Sequence, residues 1–204
     1  MKKVYKIIIW FVLLFILIGG IFYFFVLKKD NDKVDYLDTI EGYNYKLEAN
    51  ATELMKQEFA LLKEILSADE IDEEAFAQQI AKLFVIDLYT MSNKLNNSDV
   101  GSKQYVLPKI VDNFILNVQN TLYKYLEDNS NDKRTQELPE VSGIEIISTE
   151  TIEFEHNEKK LEAYKIKVSW TYIKDMEYDT EAEVILIMEN AHFYVIEFNF
   201  NREE

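Results

Sequence analysis

The 204-residue chain has no cysteine, so disulfides, thiolate metal sites and cysteine nucleophiles are excluded together. A domain of this chain outside the cytoplasm would have to be held by its core alone. Glycine (five) and proline (two) are also scarce, which argues against a loop-rich architecture and excludes a glycine-rich phosphate loop. No serine stands in a Gly-x-Ser-x-Gly elbow. The two histidines, His156 and His192, both fall in hairpin turns and read as solvated residues, because metal ligation or a triad needs convergent side chains on rigid elements. No metal and no cofactor are expected.

Positive charge is short in supply too. Lys and Arg number 22 against 37 acids, for a net charge of −15. The five lysines and no acid of residues 1–29 leave −20 on residues 30–204. So acidic a domain is repelled by phosphate backbones and anionic headgroups, and no nucleic-acid binding is expected.

What is present begins with MKKVYKIIIWFVLLFILIGGIFYFFVLKKD. Residues 7–27 are uncharged and long enough to cross a ~30 Å hydrocarbon core as a helix. Trp10 and Tyr23 suit the two interfaces, and Lys2, Lys3 and Lys6 precede the span. A cleaved signal peptide is the alternative, but the run exceeds a usual apolar h-region and no small-x-small cleavage site follows. The expectation is a single-pass protein of the cell membrane, with a cytoplasmic N-terminus and an extracytoplasmic C-terminal domain. Its parts are an anchor (1–29), a linker (30–40) and an α+β domain (41–204).

Within that domain, IEGYNYKLE reads as a short strand or an extended approach. Asn50 and Glu53 have capping-box spacing, so a first helix is expected over 51–66, with Leu54, Met55, Phe59 and Leu62 inward. Asp72 caps a second, running to about residue 95. Its buried stripe holds Phe76, Ile80, Leu83, Asp87 and Met91, and its wet side Gln78, Lys82, Tyr89 and Asn93. In the turn NNSDVGSK, Gly101 is the residue available for a positive φ. Pro108 starts a third helix with Val111, Ile115, Val118, Leu122 and Tyr125 inward. From residue 141 the apolar period changes to two, and four strands form an antiparallel meander. The expected fold is therefore α+β, three helices packed on a curled antiparallel sheet of about four strands.

Asp87 is the one candidate for chemistry, since a desolvated carboxylate on a buried stripe could act as a general acid or base. The competing reading is a hydrogen-bond acceptor for buried Tyr or Trp groups or for the turn that follows. With no catalytic companion identifiable beside it, the scaffolding role is preferred. Asp128, Ser130 and Asp132 begin a calcium-hand pattern that fails at Lys133 and Pro139. Asn50-Ala51-Thr52 and Asn96-Asn97-Ser98 match the N-glycosylation pattern, which has meaning only in a eukaryotic secretory route. Thirteen Tyr and thirteen Phe mostly follow core periods, with an exposed aromatic patch expected around Tyr172 and Phe198 or Phe200.

One N-terminal span, three helices and a meander of long strands resembles the cone-shaped α+β fold of nuclear transport factor 2. It is similar to the extracytoplasmic domains on that fold in membrane-anchored scaffold proteins of conjugation and type IV secretion machines. The likeness covers about residues 40–202, and the Asn-Pro-x-Gly turn of the Gram-negative scaffolds has no counterpart at Pro108 or Pro139. Composition and layout also resemble uncharacterised single-span membrane proteins of AT-rich Gram-positive bacteria. The resemblance implies an interaction or scaffold module, its partners the membrane and other envelope proteins or a second copy. The alternatives on the same fold are a dehydratase- or isomerase-like enzyme and a small-ligand binder.

Overall fold

A computed structural model describes residues 35–156 and 159–200. The apolar run 7–27 lies outside the described residues. No described helix is long and apolar enough to cross a membrane.

Two strands, β1 (Tyr36–Ile40) and β2 (Tyr45–Glu48), form an antiparallel hairpin. The residues expected as linker up to 40 are thus paired from Tyr36 onward. Gly42 (φ +86°) and Asn44 (φ +56°) supply the left-handed conformations that close this turn.

Helix α1 (Glu53–Leu66) buries Met55, Phe59 and Leu62, as its period predicts. Its cap differs from expectation. Thr52, not Asn50, accepts from the Met55 N–H, at 3.4 Å. Asn50 instead exchanges hydrogen bonds with Asn93, its Nδ2 on the Asn93 carbonyl at 2.9 Å and the Asn93 Nδ2 on its own carbonyl at 3.1 Å.

Helix α2 (Glu73–Tyr89) is capped by Asp72, which accepts from the Ala75 N–H at 3.0 Å. It touches all four strands of the main sheet and α1 besides. A helix covered on so many sides must be apolar nearly all round. Tyr89, expected on a wet side, is accordingly buried, its ring 4.8 Å from that of Trp170. The helix ends at Tyr89, well before residue 95, and the chain continues as irregular backbone.

A 3-10 turn (Lys103–Tyr105) leads into α3 (Val111–Asn120), three residues later than Pro108. Because α3 stops at Asn120, the helical stripe is lost beyond it. Tyr123 and Leu126 turn inward, and Tyr125, expected inside, is 76 % exposed.

The main sheet is the expected meander, β3 (Val141–His156), β4 (Lys159–Tyr172), β5 (Glu181–Glu189) and β6 (His192–Phe200), neighbours in chain order and all antiparallel. Tyr164, Ile166, Val168 and Trp170 of β4 meet the helices. On the far face Lys165 pairs with Glu183 at 2.5 Å and Lys167 with Glu181 at 2.9 Å. Register shifts at Ile146/Ser148 and Ile185/Leu186 are bulges that bend the strands. Among the described residues the fold is α+β, three helices and a four-stranded antiparallel sheet, with the small hairpin added.

Candidate functional site

Asp87 stands near the end of α2, its side chain 21 % exposed. One carboxylate oxygen is 2.5 Å from Lys94 Nζ, and the other accepts from the Ser102 backbone N–H. Lys94 is the more deeply buried partner, its side chain 1 % exposed. The sequence reading missed it. Lys94 follows Asp87 by seven residues but lies beyond the helix, where periodicity carries no information.

Burial alone would pull the Lys94 ammonium down. The Asp87 carboxylate, with Tyr123 and Glu48 near, outweighs it and holds Lys94 above the usual lysine range. Burial pushes the Tyr105 and Tyr123 hydroxyls up, and the Asp87 charge adds to this. Both phenols are therefore neutral donors at ordinary pH, and Tyr123 Oη donates to the Leu88 carbonyl at 2.8 Å.

The turn after Lys94 is fastened to the same centre. Ser102 adopts a left-handed conformation (φ +66°), and its Oγ donates to the Phe84 carbonyl at 2.6 Å. Gly101, expected to hold the positive φ, does not; it is glycine because its backbone lies against α2. A Cβ there would come within 2.9 Å of the Asp87 carbonyl carbon and 3.0 Å of Asp87 Oδ1. On the other side Arg134 Nη1 donates to the Lys94 carbonyl at 2.8 Å and its Nη2 to the Ser92 carbonyl at 2.9 Å. The Met91 N–H reaches the Pro139 carbonyl at 2.9 Å, handing the end of α2 to the start of β3.

The cleft beside Asp87 is lined by Glu48, Asn50, Met55, Asn93, Gln104 and Tyr105 among others. It leaves about 20 Å³ for the centre of a water molecule, room for about one water and for no substrate. Burial raises the Glu48 carboxyl above the usual range, with Asp87 and Asp99 adding to the rise and Lys94 opposing it. A carboxyl with a raised folded value favours folding below the unfolded value and loses that contribution as pH rises through the folded one. Glu48→Gln is therefore expected to raise the melting temperature at pH 7, with the gain over wild type vanishing below the carboxylate range. Thermal scans at both pH values check this.

Elsewhere, a groove of about 490 Å³ runs between the helices and β3, past Ile65, Gln79, Lys82 and Ile144. Two of its polar groups converge on Glu58, Gln79 Nε2 lying 2.7 Å from Glu58 Oε2 and Lys82 Nζ 3.6 Å from it. On the far face of the sheet, Leu107, Ala163, Ile185 and Ile187 form a second apolar cluster. Ile152, Phe154 and Leu161 extend it, half-buried, onto the β3–β4 arm that projects past the Ala163↔Ile187 end of the β4–β5 pairing. A shallow hollow of about 480 Å³ lies on this arm, at Ile152, Lys160 and Leu161.

The aromatic patch expected at Tyr172 and Phe198 does not form. Tyr172 Oη donates to the Asp179 carbonyl at 2.8 Å, and Phe198 packs 5.1 Å from Phe84. The Phe200 and His156 side chains lie outside the described residues. His192 is half-buried in its turn, and both ring nitrogens have backbone partners: Nδ1 is 2.8 Å from the Asn190 carbonyl oxygen and Nε2 2.7 Å from that of Tyr43. Among the described residues no group of three or more His, Asp or Glu side chains is placed to hold a metal ion. Compared with known proteins, the chain matches no family model, no curated protein and no solved structure.

Proposed function

We propose that the chain is a membrane-anchored extracytoplasmic interaction module, carried by the apolar run 7–27 and engaging envelope partners through its α+β domain. The observation that carries this reading is the state of Asp87. Its charge is taken up by Lys94 and the Ser102 N–H, and the cleft beside it holds about one water. A general acid or base needs an open place for substrate within hydrogen-bond reach, so the geometry favours scaffolding over a dehydratase- or isomerase-like reaction. The same volume argues against a small ligand in this cleft, since ligand pockets run to about 300 Å³ or more.

The surface such a module offers is the half-buried apolar strip Ile152, Phe154 and Leu161 on the projecting arm, and the partner it suits is another envelope protein. The test is a photo-crosslinking residue at position 154 of the full-length protein in intact cells, with position 128 as control. A discrete adduct at 154 and none at 128 is expected. Only background at both positions would overturn the reading.

A further inference from the structure

His192 opens β6 directly after a two-residue turn in which Asn190 (φ +54°) and Ala191 (φ +63°) are both left-handed. Each of its ring nitrogens lies at hydrogen-bond distance from a backbone carbonyl oxygen, that of Asn190 at 2.8 Å and that of Tyr43 at 2.7 Å. A carbonyl oxygen only accepts, and a neutral imidazole has one N–H to give. The neutral ring would satisfy one carbonyl and turn a lone pair on the other, whereas the doubly protonated ring donates to both.

Tyr43, Tyr45 and Tyr194 place their rings 5.6, 5.7 and 6.0 Å from the His192 ring. Among charged side chains, Glu189 of β5 stands opposite His192 in the strand register, itself 3.8 Å from Lys109 Nζ on the segment before α3. Glu41 lies in the β1–β2 turn, two residues before Tyr43.

The two carbonyls belong to separate hairpins, so the ring ties the β1–β2 turn to the β5–β6 turn. β2 runs on from this tie to Glu48 at the Asp87 cleft. We propose that His192 is a proton-dependent latch, closed when the ring carries two protons and weakened when it loses one, so that the β1–β2 turn loosens as pH rises. Histidine is the side chain that ordinarily changes charge between about pH 5 and 8.

Hydrogen exchange of the full-length protein tests this. Protection of the amides of residues 41–46, corrected for intrinsic rates, is expected to fall about tenfold between about pH 5.5 and pH 8.5, the loss of one charge-assisted hydrogen bond. In His192→Gln the protection is expected to be equal at both pH values. Equal protection in the wild type, or the same fall in the variant, would overturn the proposal. Should the variant fail to fold, ¹⁵N signals of labelled histidine in the wild type decide, with His156→Gln identifying the second ring. Both His192 nitrogens are expected in the protonated form at about pH 5.5, and a neutral tautomer there would overturn the proposal.

Discussion

Replacing Asp87 with asparagine is expected to lower the stability of the protein by about 3 kcal/mol. The amide oxygen can still accept from the Ser102 N–H, so the turn keeps that bond. What is lost is the countercharge of Lys94, whose side chain is 1 % exposed and whose Nζ has Asp87 Oδ1 at 2.5 Å. Removing one member of a buried pair leaves the other charge uncompensated, and Lys94 must then lose its proton or draw water into the core. In a domain of this size each kcal/mol moves the melting temperature by about 2–4 °C, so a fall of roughly 6–12 °C is expected in a thermal scan. A shift within the error of the scan would show that the pair contributes nothing to folding.

The second large effect is expected at Gly101. A methyl group there meets backbone atoms of α2 at Asp87, which no rotamer change can relieve, so the turn and the helix must move apart. That movement also stretches the two hydrogen bonds of the next residue, from Ser102 N to Asp87 and from Ser102 Oγ to Phe84. Gly101→Ala is expected to cost about 3 kcal/mol. Gly42→Ala is the informative comparison, because Gly42 has the left-handed φ of +86° but nothing within 4 Å of its missing Cβ. Backbone strain alone costs about 1 kcal/mol there. Equal losses in the two variants, measured by urea unfolding, would mean that close approach to α2 is not what makes position 101 a glycine.

These two positions show how far the sequence could be read. The stripe through Phe76, Ile80, Leu83 and Asp87 follows from the helical period, and the meander from the period of two in residues 141–200, since both signals are repeated many times along a regular element. Lys94 and Ser102 lie in irregular backbone between α2 and α3, where nothing repeats. Their partners are set by where the chain returns, not by spacing. A helical wheel assumes one wet face and puts Tyr89 on it, whereas α2 is enclosed by the sheet and by α1. At Asn50-Ala51-Thr52 two residues suited to capping stand two apart, and only the Asn50–Asn93 exchange distinguishes them. Residues 30–40 are polar enough to read as linker, but Gly42 and Asn44 in EGYN supply the turn that closes β1 onto β2.

His192 and the β3–β4 arm were hidden for the same reason. A histidine in a hairpin turn is ordinarily wet, and only the neighbouring hairpin brings the Tyr43 carbonyl to its second nitrogen. Ile152, Phe154 and Leu161 read as an ordinary strand face until the register shows β4 pairing with β5 only from Ala163 onward.

Asp87 and Lys94 act as one structural unit, and a double-mutant cycle of Asp87→Asn and Lys94→Met in the full-length protein separates their joint contribution from their individual ones. By urea unfolding, each single variant is expected to lose about 3 kcal/mol. The double variant, which removes both charges and keeps an acceptor for the Ser102 N–H, is expected to lose less than either one. Losses that simply add would mean that the two side chains contribute independently and that Asp87 is held for some purpose other than its partner.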